Sequence, residues 1–539
     1  MITFFLKFDK SDTAHNNYGN SNNHPYRNTE GTFMIIKLLA TSDVHGAISP
    51  YKYSDNSLAQ QGLARLSAHI ERLRDENTLL IDNGDVLEGN PMNFYHIAYE
   101  KNTVHPMATA LNYLKYDYFN LGNHDFNYGY NVQHRYINDL NAKCITGNVL
   151  EDGKTIGAEY TVHRFDDSHS IAIIGITTQY IPNWEKPENI ARNTFINAFD
   201  FVRDTVAKIK ENENVNGIAV VYHGGFECDI DTGEPSEDLT GENLAYRICK
   251  EIKGVDVVIS GHQHRSIAQK CCGKTVTQTA FNAMQLAVIE WDLDTNISEC
   301  YLLNADAPID FGLLGAIAEK ETRVQKWLDQ PLGTIKNGPL LIDDLFQARL
   351  HKHPVVSFLA RVMMDISGAQ LSANALFNDS KGFPSQITMR DLVSTYVYPN
   401  TTVVLKITGL LLKQFIEKCA EYFDVEDGRI TVSKDFVSPK PKHYNYDMVT
   451  GVEYTINVSL PVGKRVTSLT YHDTDVQDTD EFTIAMTNYR ASGGGNFDMV
   501  KKCEIIKEIQ TDFVECIAQY LKNHPDLELE HTENIKVIK

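Results

Sequence analysis

The sequence has no run near the roughly 18–20 consecutive apolar residues that a membrane-crossing helix needs, so no helical span is expected. Positive charge is in deficit: 50 lysines and arginines stand against 71 aspartates and glutamates, a net charge of -21. A nucleic-acid duplex is therefore not an expected partner, because affinity for the phosphate backbone needs clustered basic side chains. The same charge leaves a small anionic substrate open, since bound cations reverse a local field. Cysteines lack a framework: there are nine, an odd number, and Cys271 and Cys272 are adjacent rather than spaced as a zinc pair. Reduced thiols, and hence a cytoplasmic location, are the expectation. The opening "MITFFLKFDKSD" lacks both the apolar length and the small-residue cleavage site of a secretory signal.

What is present is ordinary globular composition, 42% hydrophobic and 22% charged, over 539 residues, too many for one core. Residues 1–33, mostly polar and asparagine-rich, are expected to be a disordered leader, with Met34 as the candidate native start. Over 34–305, short runs that are apolar throughout end in polar clusters: "MIIKLLATSD", "NTLLIDNGD", "YDYFNLGNHD", "SIAIIGITT", "GIAVVYHGG", "VDVVISGHQH" and "LAVIEWDLD". Such runs suit strands buried on both faces. Helical patterns lie between them, as in "LARLSAHIERLRDE", where Leu63, Leu66, Ile70 and Leu73 share one face. The pattern predicts an α/β layered domain. Residues 306–331 are expected to form a linker helix with turn residues at its ends. Residues 332–539 read as a second domain that mixes helices ("VVSFLARVMMDIS") with strands ("TVVLKITG", "EFTIAMTNY").

Five of the strand ends carry side chains that bind metals. "SDVHG" supplies Asp43 and His45, "DNGD" supplies Asp85, "GNHD" supplies Asn123 and His124, "VYHGG" supplies His223, and "SGHQH" supplies His262 and His264. Ligand sites in open α/β sheets gather beyond the carboxyl ends of the strands, so loops scattered in sequence can converge. The donors are hard oxygen and imidazole without thiolate, which points to zinc, manganese or iron. Any one of these short motifs occurs by chance, and a lone histidine is more often structural. Five at successive strand ends make that reading untenable.

In this order, the D-x-H, G-D, G-N-H-D, H-G-G and G-H-x-H motifs resemble those of the calcineurin-like metallophosphoesterases. "YVYPNTTVVLKITGLLLKQFIEKCAEYF", "YNYDMVTGVEYTI" and "TNYRASGGGNF" resemble the C-terminal domain of 5'-nucleotidases. Within that family, "YVYPNT", "NHDFNYG" and "NYRASGGGNF" are most similar to the 2',3'-cyclic-nucleotide 2'-phosphodiesterase/3'-nucleotidase branch. The resemblance implies an N-terminal layered αββα catalytic domain over 34–305 and an α+β nucleotide-binding C-terminal domain over 332–539, with rotation about the linker helix. It implies two divalent ions, manganese or zinc with iron a third candidate. Asp43, His45, Asp85 and His264 would hold one; Asp85, as a bridge, Asn123, His223 and His262 would hold the other. A metal-bridged hydroxide would attack phosphorus. His124 would stabilise the phosphoryl group or the leaving group, with Asn127 where many relatives carry an aspartate. Tyr489 and either Tyr444 or Tyr446 would stack on the base, with Asn496 beside them. The substrate would be a nucleoside monophosphate or a 2',3'-cyclic nucleotide. The alternatives are UDP-sugars, a sulfur ester, or a non-catalytic scaffold that kept the fold. Metal identity and oligomeric state stay open.

Overall fold

Continuously apolar runs form strands that are covered on both sides. The computed structural model describes residues 33–539 except 184, 238, 397–399, 439, 510 and 530–532. The expected leader, apart from Phe33, therefore lies outside the described residues, as do three residues of "YVYPNT".

Two six-stranded sheets stack in the first half. One runs in the order Ile297–Asn304, Gln285–Asp292, Ile35–Thr41, Thr78–Asp82, Tyr118–Phe119, Lys143–Cys144. The other runs Ile267–Cys271, Lys274–Gln278, Val257–Ser260, Gly217–His223, Ser170–Thr177, Thr161–Arg164. Ile35–Thr41 is parallel to Thr78–Asp82, and Gly217–His223 is parallel to both Ser170–Thr177 and Val257–Ser260. Parallel neighbours bring their carboxyl ends to one edge of each sheet, and that edge is where the polar clusters fall.

Strand alternation divides the apolar residues between layers. Ile36, Leu38 and Ala40 pack between the sheets with Ile171, Ile173, Ala219 and Val221. Leu39 and Leu80 point the other way, onto Leu63, Leu66 and Ile70 of helix Leu63–Leu73. Ile174, Val220 and Val258 pack outward against Val202, Val206 and Ile248 from helices Ala198–Asn212 and Ala245–Glu251. Helix, sheet, sheet, helix is the expected αββα order.

The linking helix occupies Phe311–Leu328, shorter at both ends than 306–331. Asp310 caps its start by accepting from Gly312 N and Leu313 N, and strand Pro331–Ile335 begins soon after its end. Trp327 is buried near its end, stacked on Phe94 at 5.7 Å between ring centroids and tilted against Tyr95 and Tyr99. In the second half a five-stranded sheet runs Asp447–Thr450, Leu371–Ala375, Glu481–Thr487, Thr402–Thr408, Glu504–Ile509. Helix Pro354–Ser367 lies where the sequence placed it, and Gly409–Ala420 is a further helix of this half. One apolar cluster runs from Leu80 through Leu313 and Trp327 to Leu371 and Ile484, so the helix is packed into both halves. No helix among the described residues is long and apolar enough to cross a membrane.

Trp327→Ala is expected to cost about 3–5 kcal/mol, the usual loss for an emptied aromatic site. Chemical denaturation of the metal-free protein measures it. A loss below about 1 kcal/mol, the size of an ordinary substitution, would show that this ring cluster does not secure the joint.

Candidate dimetal site

Three of the ligand-bearing loops, "SDVHG", "DNGD" and "SGHQH", turn sharply as they leave their strands. Asp43, His45, Asp85, His262 and His264 all take positive φ, from 48° to 70°. Residues other than glycine rarely adopt that region; each instance costs about 1–3 kcal/mol and persists only where its surroundings enforce it. The enforcement is visible in the backbone. Asp43 N donates to Gly84 O and His45 N to Asp85 O, both at 2.9 Å, so the first two loops run laced together. Gly122 is needed for close approach: a Cβ there would stand 2.2 Å from Asp85 Oδ1 and 2.7 Å from His223 Cε1.

The result is two adjacent groups of donors, Asp43 with His45 and His264, and Asp85 with His223 and His262. Asn123 belongs with the second group, its Oδ1 lying 2.7 Å from His262 Nδ1 and 3.1 Å from His223 Nε2. Asp85 Oδ2 stands 3.2 Å from His223 Nε2 and 4.0 Å from His45 Nε2, between the two groups. All seven expected ligands are thus brought together.

The hydrogen bonds behind these rings show what fits between them. His223 Nδ1 donates to Asn83 O at 2.6 Å and His45 Nδ1 to Glu88 O at 3.0 Å. His262 Nε2 donates to Glu242 Oε1 at 2.8 Å. Once those nitrogens carry the ring proton, the opposite nitrogens present lone pairs. These lone pairs face the oxygens of Asp85 and Asn123 and, for His45, the Nε2 of His264 at 3.1 Å. Lone pairs aimed at lone pairs in a buried site need cations between them, and a ring held from behind by a carbonyl or carboxylate is the usual state of a metal-bound histidine. The residues present therefore fit two divalent ions.

Protons compete for the same places. Burial pushes the His223 ring down, but the Asp85 and Asp43 carboxylates outweigh it and hold the ring at about 10. Burial likewise opposes the charged form of His45, which Glu88 and Asp85 raise to about 9. His264 goes the other way, lowered to about 3 by burial and by the charge of Lys440.

Several residues at this site were not marked by the sequence reading. The Asp125 carboxylate accepts from Asp85 N and Gly122 N through Oδ2, at 3.0 and 2.8 Å, and from Val86 N and Leu87 N through Oδ1, at 2.9 and 3.0 Å. It was hidden as the last letter of "GNHD". Asn120 ties strand ends together, donating to Ile176 O at 2.6 Å and Asn83 Oδ1 at 3.1 Å. Buried Glu88 has Oε2 3.6 Å from Nδ1 of both His45 and His124. Glu242 and Lys440 had no local signal; they matter only through what packs beside them.

His124 donates its backbone N–H to Asp85 Oδ1 at 2.7 Å, and its ring Nδ1 lies 2.7 Å from Asn127 Oδ1. In the second half, the Tyr444 and Tyr489 ring centroids are 6.3 Å apart at 70°. Tyr446 is fully buried and stacks on Tyr422 at 4.7 Å. Gly494 leaves room for the Tyr489 ring, since a Cβ there would meet it at 2.5 Å. Asn496 sits exposed at φ 64° just beyond that turn.

Residues 36–266 match the calcineurin-like phosphoesterase family, and residues 331–502 match the 5'-nucleotidase C-terminal domain. A solved Staphylococcus aureus structure, assigned to the 5'-nucleotidases, is 34% identical and covers 94% of this chain and 100% of its own, with a TM-score of 0.89. This chain belongs to the 5'-nucleotidase family of metallophosphoesterases. That family's enzymes are metal-dependent phosphoester hydrolases using two divalent ions, in accord with the two donor groups. The 2',3'-cyclic-nucleotide 2'-phosphodiesterase/3'-nucleotidase of Salmonella typhimurium is 25% identical over 85% of this chain and 81% of its own length. The trifunctional nucleotide phosphoesterase YfkN of Bacillus subtilis is 25% identical over 90% of this chain, which spans only 38% of that protein.

Asp125→Asn would turn an amide N–H₂ toward backbone N–H groups that now find an acceptor. Metal affinity is expected to fall roughly 10–100-fold, the usual cost of losing support behind the ligands. Metal titration followed by elemental analysis measures it, and unchanged affinity would show that the loops hold their shape without this carboxylate.

Proposed function

We propose that the chain hydrolyses nucleotide phosphoesters, with 2',3'-cyclic nucleotides, 3'-nucleotides and 5'-nucleotides as the candidate substrates. One observation carries the reading: the Tyr444 and Tyr489 rings, set edge to face at 70°, share the Glu242 carboxylate with the metal donor His262. Glu242, which holds His262, also faces both rings: burial, reinforced by the Glu242 charge, pushes the Tyr444 hydroxyl up to about 12, and Glu242 acts on Tyr489 in the same sense. A base between the rings would leave its phosphate at the donor cluster.

Asp43, His45, Asp85 and His264 would hold one ion, and Asp85, Asn123, His223 and His262 the other. Bound there, manganese or zinc would withdraw charge from the phosphoryl oxygens and lower the pKa of the attacking water. Asp85 serves both groups. His124 hydrogen-bonds a phosphoryl or leaving oxygen through Nε2, while Asn127 holds its Nδ1. Tyr489 and Tyr444 grip the base by stacking, which is tolerant of base identity. Tyr446 stays in the core. Lys440 contributes positive charge from the second half, its ammonium facing Asp43, Glu242 and Asp85. The catalytic half would be the domain over 34–305 and the base-binding half that over 332–539. A cytoplasmic location rests on the free cysteines, and cell fractionation tests it.

The deciding experiment is a panel of 5'-, 3'- and 2',3'-cyclic nucleotides with p-nitrophenyl phosphate under manganese and zinc. No turnover of any nucleotide would defeat the proposal.

His124→Ala is expected to lower kcat roughly 10²–10⁴-fold with metal content intact. Loss of metal alongside activity would instead make it a ligand. Tyr489→Ala should raise KM for nucleotides by the equivalent of about 1–3 kcal/mol, the worth of one stack, and leave p-nitrophenyl phosphate almost unaffected. Equal loss on both substrates would mean that the ring supports the fold.

A further inference from the structure

His124 has an asparagine where a paired carboxylate would be simplest, yet a carboxylate stands one hydrogen bond further on. Asn127 Nδ2 donates to Glu185 Oε2 at 2.5 Å. The other oxygen, Oε1, accepts from Asn189 Nδ2 at 2.8 Å and Lys186 N at 2.7 Å. Asn189 Nδ2 also donates to Asn127 O at 2.6 Å, fastening the same loop a second time. Glu185 is 8% exposed. Burial pushes its carboxyl up, and the Asn189, Lys186 and Asn127 donors oppose that shift.

The donor and acceptor roles then follow in order. A carboxylate only accepts, so the Asn127 atom beside Glu185 must be its N–H₂ group. Its carbonyl oxygen must therefore be the atom facing His124 Nδ1, and that nitrogen must carry the proton. With Nδ1 donating to that carbonyl, a second proton on Nε2 gives an imidazolium whose Nε2–H can donate to a substrate oxygen, a state closed to a ring whose Nδ1 must accept. Glu88, whose Oε2 is 3.6 Å from the same Nδ1, is too far for a hydrogen bond and does not take the place of Asn127.

We propose that Glu185 is a positioning residue that sets the tautomer and orientation of His124 through the side chain of Asn127. The proposal rests on His124 acting on the substrate. It makes an unusual prediction about single and double variants. In Glu185→Gln the amide oxygen must stay with Asn189 and Lys186, so an N–H₂ group faces Asn127. Asn127 must flip, its own N–H₂ then faces His124 Nδ1, and the ring proton moves to Nε2. In Asn127→Asp two carboxylates would confront each other where a hydrogen bond now runs. Combined, Asp at 127 accepts from both Gln at 185 and His124 Nδ1, and the original polarity returns.

The test is steady-state hydrolysis of 2',3'-cyclic AMP and p-nitrophenyl phosphate by metal-loaded wild type, E185Q, N127D and N127D/E185Q, with metal content and thermal midpoint recorded. Each single variant should lose roughly 10–100-fold in kcat on both substrates, the scale seen when support behind a catalytic group is removed, with KM, metal content and midpoint little changed. The double variant should recover to within a few-fold of wild type, a non-additivity that a merely structural role would not produce. Long-range ¹H–¹⁵N spectra of the metal-free protein, with the His124 signals identified by their absence in H124Q, should show the proton on Nδ1 in wild type and on Nε2 in E185Q. The relay is overturned if E185Q keeps wild-type kcat, if the double variant is as impaired as the product of the singles, or if the tautomer does not change. If H124A itself keeps full turnover, the role of His124 falls and the relay with it; if H124A is impaired and the Glu185 variants are not, only the relay falls.

Discussion

One buried carboxylate holds the two halves of the ligand set in register. Asp125 takes backbone N–H bonds from Gly122 in its own loop and from Asp85, Val86 and Leu87 in the loop before it. Burial and the nearby Asp85 charge push its carboxyl up, and those N–H groups oppose the shift. The "DNGD" and "GNHD" loops follow different strands of one sheet and carry Asp85, the proposed bridge, and Asn123, a proposed ligand. Without a shared acceptor, four buried N–H groups would lack partners, each at a cost of about 1–3 kcal/mol.

That constraint makes the rest of the site possible. Asp85 can remain in a left-handed conformation because the groups on either side of it are fixed. With Asp85 in place, the lone pairs of His223 and His45 and the Oδ1 of Asn123 converge from other loops. Each imidazole has a partner behind it: the carbonyls of Asn83 and Glu88, and the Glu242 carboxylate. The site is a cage of acceptors whose repulsion is relieved by protons or by metal, and pH and metal affinity are coupled for that reason.

The second half is fastened by a similar device. Arg490, buried within "NYRASGGGNF", donates to Asp447 and to Gly494 O and lies 3.8 Å from the centre of the Phe497 ring. It joins the glycine turn beneath Tyr489 to the segment that carries Tyr444. The charges of Glu242, in the first half, and Lys440, in the second, act on each other, so the donor cluster and the tyrosine pair share one electrostatic environment.

The candidate metal ligands were legible because they are local. Each follows an apolar run, and each run is a strand whose end the parallel pairing brings to a common edge. The layered order and the helices of both halves were legible from the same periodicity. Where the linking helix begins and ends within 306–331 is set by the Asp310 cap and by the strand from Pro331 that follows. What the sequence could not show were contacts between residues far apart in the chain: Asp125 under Asp85, Glu242 behind His262, Glu185 behind Asn127. Tyr444 and Tyr446 are equivalent as letters, and only packing against Tyr422 put one of them in the core. A sequence determines which chemistry stands at the end of each strand, because strand and turn are set by neighbours. Which nitrogen carries a proton and which carboxylate stands behind it were decided by the tertiary structure, because those depend on partners that only the packed sheets bring within 3 Å of one another.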